Sequence, residues 1–167
     1  MSFERSYPVT EVIVDASSLI ALGKIGFLET FAELCKHQGW TVVITKQVLQ
    51  EIRNTIAGST LEQIAIYHDA VVSEAFRQAH IALGEGELSV LCSAQELHHF
   101  PDPVAVVDEE LARKSAKRLG VSVIGTLRIL RLALDSALIS RAECDRLIGE
   151  LATTGFRFDP RLLRDLF

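Results

Sequence analysis

The chain has 167 residues, 49% of them hydrophobic and 23% charged. That balance excludes a disordered chain and suits one domain over residues 1–167, able to bury a core without disulfides or a structural metal. A net charge of −5 excludes a surface that grips nucleic acid everywhere and leaves room only for a local basic patch. No apolar run approaches the roughly 18–20 residues of a membrane span. Met1-Ser2-Phe3-Glu4-Arg5 lacks the layout of a secretory leader. Three cysteines without a Cys-x-x-Cys pair point to reduced thiols and a cytoplasmic setting.

In chain order, Val12-Ile13-Val14 reads as a buried strand ending at Asp15. A helix is expected from Ala16 to about Leu34, broken near Gly26. Thr41 to Ile44 is a second strand, with Thr45 as N-cap of a helix from Lys46 to about Ile56. Leu61 to Tyr67 is expected as another helix. Gly84 to Leu97 carries Leu88, Val90, Leu91, Ala94 and Leu97 as the apolar positions of a helix. Pro101 and Pro103 punctuate the loop before the strand Val104 to Val107, which ends at Asp108. Glu109 to Leu119 is a helix closed by Gly120. Val121 to Ile124 is a fourth strand, Gly125 opens a helix through Leu134, and further helices from about residue 140 pack on the domain.

Short strands, apolar throughout and alternating with helices, belong to a mostly parallel sheet covered on both faces. The expected architecture is therefore a three-layer α/β/α sandwich. In such sheets ligands bind beyond the carboxyl ends of the strands. That rule directs attention to Asp15, Thr45, Asp108 and Gly125-Thr126.

Asp15 and Asp108 each end a strand and precede a helix. Helix capping explains either one alone; if their strands are neighbours, both face one crevice. Glu51 falls about 60° outside the apolar arc of Val48, Leu49, Ile52 and Ile56, at the border of its helix face. Glu85 and Glu87 open their helix, where acids favour the dipole. They stand about 200° apart, so only one can point at a given site. Gly84 and Gly86 are costly at a helix start and hint at close backbone approach. Carboxylates converging on one point repel one another unless a cation neutralises them. Mg2+ or Mn2+ takes such hard oxygen ligands and can activate water against a phosphodiester.

At these residues the sequence resembles the PIN-domain family, in its VapC-like DUF3368 branch. The resemblance runs from about Val12 to Phe167. Its motifs stand in order as Val14-Asp15-Ala16-Ser17-Ser18-Leu19-Ile20, Val48-Leu49-Gln50-Glu51-Ile52, Leu83-Gly84-Glu85-Gly86-Glu87, Val107-Asp108-Glu109-Glu110-Leu111-Ala112-Arg113 and Val123-Ile124-Gly125-Thr126. The tail Gly155-Phe156-Arg157-Phe158 is also similar. The resemblance implies a compact α/β/α fold and a metal-dependent endoribonuclease site. Asp15, Glu51, Glu87 and Asp108 would form the acidic constellation, with Asp15, Glu87 and Asp108 at a Mg2+ or Mn2+ ion and Ser17 as a hydroxyl nearby. It also implies RNA as substrate, a small antitoxin as partner and a homodimer. The chain departs from the branch at Glu109, where a second Asp is usual, at Arg128, often Gly, and at Leu134, often Lys.

Arg113, Lys114, Lys117 and Arg118 make a basic stretch after Asp108, either a solvated face or a place for phosphate. Ser17, Arg113, Lys117 and Thr126 are the expected substrate contacts. His98-His99 reads as a surface or helix-end pair, because adjacent helical residues do not face together. Cys92 reads as a small core residue and Trp40 as packing. Absence of GxGxxG, P-loop and GxSxG patterns sets aside dinucleotide enzymes, P-loop NTPases and α/β-hydrolases. Two functions stand: a Mg2+/Mn2+-dependent ribonuclease acting as the toxin of a toxin–antitoxin pair, or the same fold binding RNA or protein without cutting.

Overall fold

β-Branched and apolar runs build the sheet. The computed structural model describes residues 9–55, 65–99 and 101–167. Its strands are β1 (Thr10–Val14), β2 (Trp40–Thr45), β3 (Ala65–His68), β4 (Val104–Val106) and β5 (Ser122–Ile124), all parallel, in the order β3-β2-β1-β4-β5. Nine helices lie among the described residues: α1 (Ala16–Lys24), α2 (Leu28–Gln38), α3 (Lys46–Ile52), α4 (Glu74–Ala79), α5 (Glu85–Glu96), α6 (Glu110–Arg118), α7 (Thr126–Asp135), α8 (Arg141–Thr153) and α9 (Pro160–Leu166).

Val12, Ile13 and Val14 are all buried, as are Val42, Val43 and Ile44, and Ala105, Val106 and Val107. Successive side chains of a strand point to opposite faces, so burial of neighbours means that helices cover both. The right-handed crossover rule puts α1, α2 and α3 on one face, along the path from β1 out to β3. It puts α5 and α6 on the other. In agreement, α5 packs on β1, β2 and β4, while α2 packs on β2 and against α7. Both α8 and α9 pack on α7, and Cys144, Leu147 and Leu151 of α8 join the core. Cys35, Cys92 and Cys144 are buried free thiols. No helix among the described residues is long and apolar enough to cross a membrane.

The strand order reverses direction between β1 and β4. There Val14 stands opposite Val106, and the Asp15 N–H donates to the Val106 carbonyl at 3.0 Å. A crevice opens at such a switch point, beyond the carboxyl ends of the strands. The fold thus brings Asp15 and Asp108 to one place.

Two expectations need correction. Ala65, Ile66 and Tyr67 are not helical. They form the edge strand β3, paired with β2 from Val42–Ala65 to Thr45–His68. Ile66 and Tyr67 are 57% and 49% exposed, so the segment shows no burial period, and pairing to β2 decides its conformation. Leu61 and the rest of 61–64 lie outside the described residues. The helix expected to reach Ile56 ends at Ile52, with Ile56 itself outside the described residues. The break expected near Gly26 is present: Gly26 adopts φ +67°, and Phe27 turns its N–H back to the Leu22 carbonyl at 2.9 Å.

Candidate active site

Neither aspartate at the switch point caps the helix that directly follows it with its side chain. Asp15 occupies the N-cap of α1 without a side-chain cap bond. Asp108 precedes Glu109, the N-cap of α6. Local capping, the ordinary role for Asp between strand and helix, is therefore not what holds them; Asp108 instead accepts from the first N–H of α7, a distant helix.

Asp15 is buried, and Ser17 Oγ donates to its Oδ2 at 2.8 Å. Burial pushes its carboxyl above the ordinary value; the Ser17 bond opposes this, and the charge of Asp108 adds to it. Asp108 is held by three donors. Ser18 Oγ reaches Oδ2 at 2.7 Å, Thr126 Oγ1 reaches Oδ2 at 2.6 Å, and the Thr126 N–H reaches Oδ1 at 2.8 Å. One carboxylate thus ties α1 to the start of α7. Gly125 makes this approach possible: a Cβ there would stand 2.8 Å from both Asp108 Oδ1 and Arg113 Nη1. Arg113 Nη1 donates to the Val107 carbonyl at 3.3 Å.

The glutamates arrive on α3 and α5, whose starts are locked together. Thr45, at the end of β2, caps α3 by accepting from the Val48 N–H at 3.1 Å. Its hydroxyl bonds Ser89 Oγ at 2.6 Å, and Ser89 donates to the Gly86 carbonyl at 2.7 Å. The Glu51 carboxylate rests on Gly86, where an added Cβ would overlap Oε1 and stand 3.0 Å from Cδ. The close approach hinted at by the two glycines is thus real at Gly86. Partial burial and the charge of Asp15 raise the Glu51 carboxyl, against a hydrogen bond from the Gly86 backbone.

Glu87 Oε2 accepts from the Gly84 N–H at 3.0 Å, capping its own helix. Burial raises its carboxyl, the Gly84 bond opposes, and Asp15, Glu109 and Glu51 raise it further. Glu85 behaves oppositely. It is exposed and bidentate with Arg77, at 2.9 and 3.1 Å, and that pairing holds its carboxyl below the usual range. Of these two first-turn acids, Glu87 stands in the field of Asp15. Replacing Glu85 with Gln should leave the Mn2+-induced rise in melting temperature intact, whereas Glu87→Gln should reduce it while the metal-free protein gains stability. Melting curves of both variants with and without Mn2+ check this; loss of the shift in Glu85→Gln alone would reverse the assignment.

Among the described residues, no three acidic, histidine or cysteine side chains gather into a ready coordination sphere. Asp15 lies in the field of Asp108, and Glu51 and Glu87 lie in that of Asp15. Mg2+ keeps several waters and takes only one or two direct carboxylates, and every donor here is a hard oxygen, with no thiol or imidazole among them.

Ser17 is exposed and lines a cavity of about 350 Å³ with Lys24, Asp108, Glu109 and Arg157. Arg113 lines a larger cavity of about 760 Å³ beside Asp108. Lys117 faces a separate groove of about 490 Å³ along β5, which Arg113 also borders. Thr126 is fully buried with both its donors on Asp108, so it positions the carboxylate and does not serve as the substrate contact expected from sequence. His98 and His99 follow α5 and pair with Asp102 at 3.2 Å and Glu11 at 3.5 Å. Burial pushes the Cys92 thiol up to about 11; its Sγ donates to the Val71 carbonyl at 3.3 Å.

Sequence reasoning missed Ser18, Glu109 and Arg157. Ser18 had a readable signal, a small polar residue on the buried face of α1 beside Leu19. Glu109 registered only as a departure from Asp, yet its charge reaches Glu87. Arg157 lies some fifty positions from Asp108 in the chain, and only the fold brings it near.

The fold is a doubly wound parallel α/β domain with Asp15 and Asp108 at its switch point. The family model DUF3368, a PIN domain, matches residues 11–167, and the chain belongs to that family. The chain is also similar to a solved structure, a PilT N-terminus domain protein from the hyperthermophilic archaeon Sulfolobus solfataricus P2. The TM-score is 0.51 at 19% identity, over 75% of this chain and 94% of that one, a likeness of fold. No curated protein matches the chain. PIN domains are generally nucleases, so membership supports a PIN-type nuclease at that broad level.

Proposed function

We propose that the chain is a Mg2+- or Mn2+-dependent endoribonuclease that cleaves single-stranded RNA, and the toxin of a toxin–antitoxin pair. What supports this reading is that Asp15 and Asp108 follow the neighbouring strands at the switch point of the sheet, with Glu51 and Glu87 in the field of Asp15. Asp15, Glu87 and Asp108 would hold the cation. When bound, it supplies charge neutralisation at the phosphate and activation of water. The fit rests on the donors: hard oxygens whose mutual repulsion and burial a divalent cation relieves.

The chain's own residues divide the remaining work. Ser18 and Thr126 hold the Asp108 carboxylate in one orientation. Ser17 fixes Asp15 and stands at the mouth of the crevice. Glu51, on the rim and beside Asp15, takes the proton of the attacking water. The water oxygen joins phosphorus, the bond from phosphorus to the leaving ribose oxygen breaks, and that oxygen takes up a proton. Arg113 steadies the strand beside the acids, and Lys117 extends its path along the β5 groove. The antitoxin would be a small protein covering the crevice. That partner, a homodimer, one domain over residues 1–167 and a cytoplasmic setting belong to the same proposal, which the sequence and its family resemblance support.

Cleavage of a labelled single-stranded RNA should require Mg2+ or Mn2+ and stop with EDTA. Asp15→Asn should slow it by about two to four orders of magnitude. Protein that binds RNA yet never cuts it under either metal would replace the nuclease with a non-catalytic binding module.

A further inference from the structure

The acidic crevice repels a polyanion, so an RNA strand needs fixed cations on its flank. The large cavity beside Asp108 offers them. Its volume of about 760 Å³ lies within the roughly 300–1,000 Å³ of ligand sites. Four arginines line it: Arg113, Arg128, Arg157 and Arg161. Two are already engaged. Arg161 pairs with Asp159 at 2.7 Å, and Arg113 donates to the Val107 carbonyl. Arg128 and Arg157 are exposed, and neither has a carboxylate partner among the described residues.

Local structure places both deliberately. Arg128 lies in the first turn of α7 between buried Leu127 and Ile129, so it faces outward from the helix that carries Thr126. Arg157 follows Gly155, whose φ of +82° turns the chain after α8. Phe156 and Phe158 flank it, half-buried against the core with ring centroids 6.3 Å apart. Packing of the two phenylalanines leaves Arg157 turned to solvent, where it borders both this cavity and the smaller one holding Ser17 and Asp108. Phe158 and Leu162 give the cavity an apolar wall. Guanidinium for phosphate beside an apolar surface for a base is what one nucleotide of a single strand requires.

We propose that Arg128 and Arg157 form a clamp for the phosphates of the RNA strand flanking the scissile bond, with the base seated against Phe158. The proposal rests on the RNA reading above but not on cleavage. The test is therefore binding: fluorescence anisotropy of a short labelled single-stranded RNA in EDTA, where nothing is cut. Arg128→Ala and Arg157→Ala should each weaken binding on the order of tenfold. Each should also reduce the slope of log K against log salt by about 0.7, one phosphate contact on a single strand. Arg146→Ala, on α8 and paired with Glu150, removes the same charge outside the cavity and should change neither. Where alanine lowers the melting temperature, Arg→Gln replaces it. Wild-type affinity and slope in either clamp variant, equal weakening in Arg146→Ala, or a wild type that binds no RNA would each overturn the clamp. Binding that depends on both arginines, in protein that never cuts with Mn2+, would keep the clamp and remove the nuclease.

Discussion

Asp108→Ala is expected to destabilise the protein by about 3–5 kcal/mol, and Asp108→Asn by only about 1–2 kcal/mol. Alanine strands three donors at once: the hydroxyls of Ser18 and Thr126 and the Thr126 N–H. Both donor residues are fully buried, so water reaches them poorly and each unmade bond costs about 1–3 kcal/mol. Asparagine keeps Oδ1 for the Thr126 N–H. Its Nδ2 takes the place of Oδ2 and donates to the two hydroxyls, which rotate to accept. Urea unfolding of the two variants separates the cases. Equal midpoints would mean that Asp108 is not the tie between α1 and α7.

The second large effect concerns pH. Asp15, Glu51 and Glu87 all have carboxyls raised in the folded state, above ordinary values of 3.8 for Asp and 4.5 for Glu. A raised carboxyl favours folding only while protonated, so its contribution is complete below the ordinary value and is lost as pH rises through the folded one. In metal-free protein these three acids should therefore subtract stability as pH climbs from about 4 through their raised values, while Glu85, Glu96, Glu110 and Asp159, whose carboxyls are lowered, contribute in the opposite sense. Asp15→Asn removes the most deeply buried of these charges and keeps an acceptor for Ser17. The variant should gain stability over the wild type at neutral pH, and the gain should shrink toward acid. Mn2+ should stabilise the wild type more as pH rises, because ionised carboxylates bind it. Thermal melts across pH, with and without Mn2+, give the comparison. A variant less stable than the wild type at every pH would show that Asp15 contributes as a hydrogen-bonded ion and not as a suppressed charge.

Much of this was legible in the residues. Val12 to Val14 and Val104 to Val107 are apolar without alternation, which names them as central parallel strands, and the acids that end them fall at the switch point once the strands are neighbours. The spacing of Glu85 and Glu87 around one helix allowed only one to face the site, and Arg77 proves to hold the other. β3 was not legible, because an edge strand with Ile66 and Tyr67 in solvent carries no burial period. Nor was the network on Asp108: Ser18 is 90 positions away, and a fully buried Thr126 looks no different in sequence from one at a surface. Arg128 read as a departure from a small residue, yet it lines the cavity beside the acids.

The most direct measurement is anomalous scattering from crystals soaked in Mn2+. The expected result is a peak in the crevice, within bonding distance of carboxylate oxygens from Asp15, Glu87 or Asp108, and its loss in crystals of Asp15→Asn. An empty crevice at Mn2+ concentrations that support RNA cleavage, or an ion bound only elsewhere, would contradict a metal centre at the switch point.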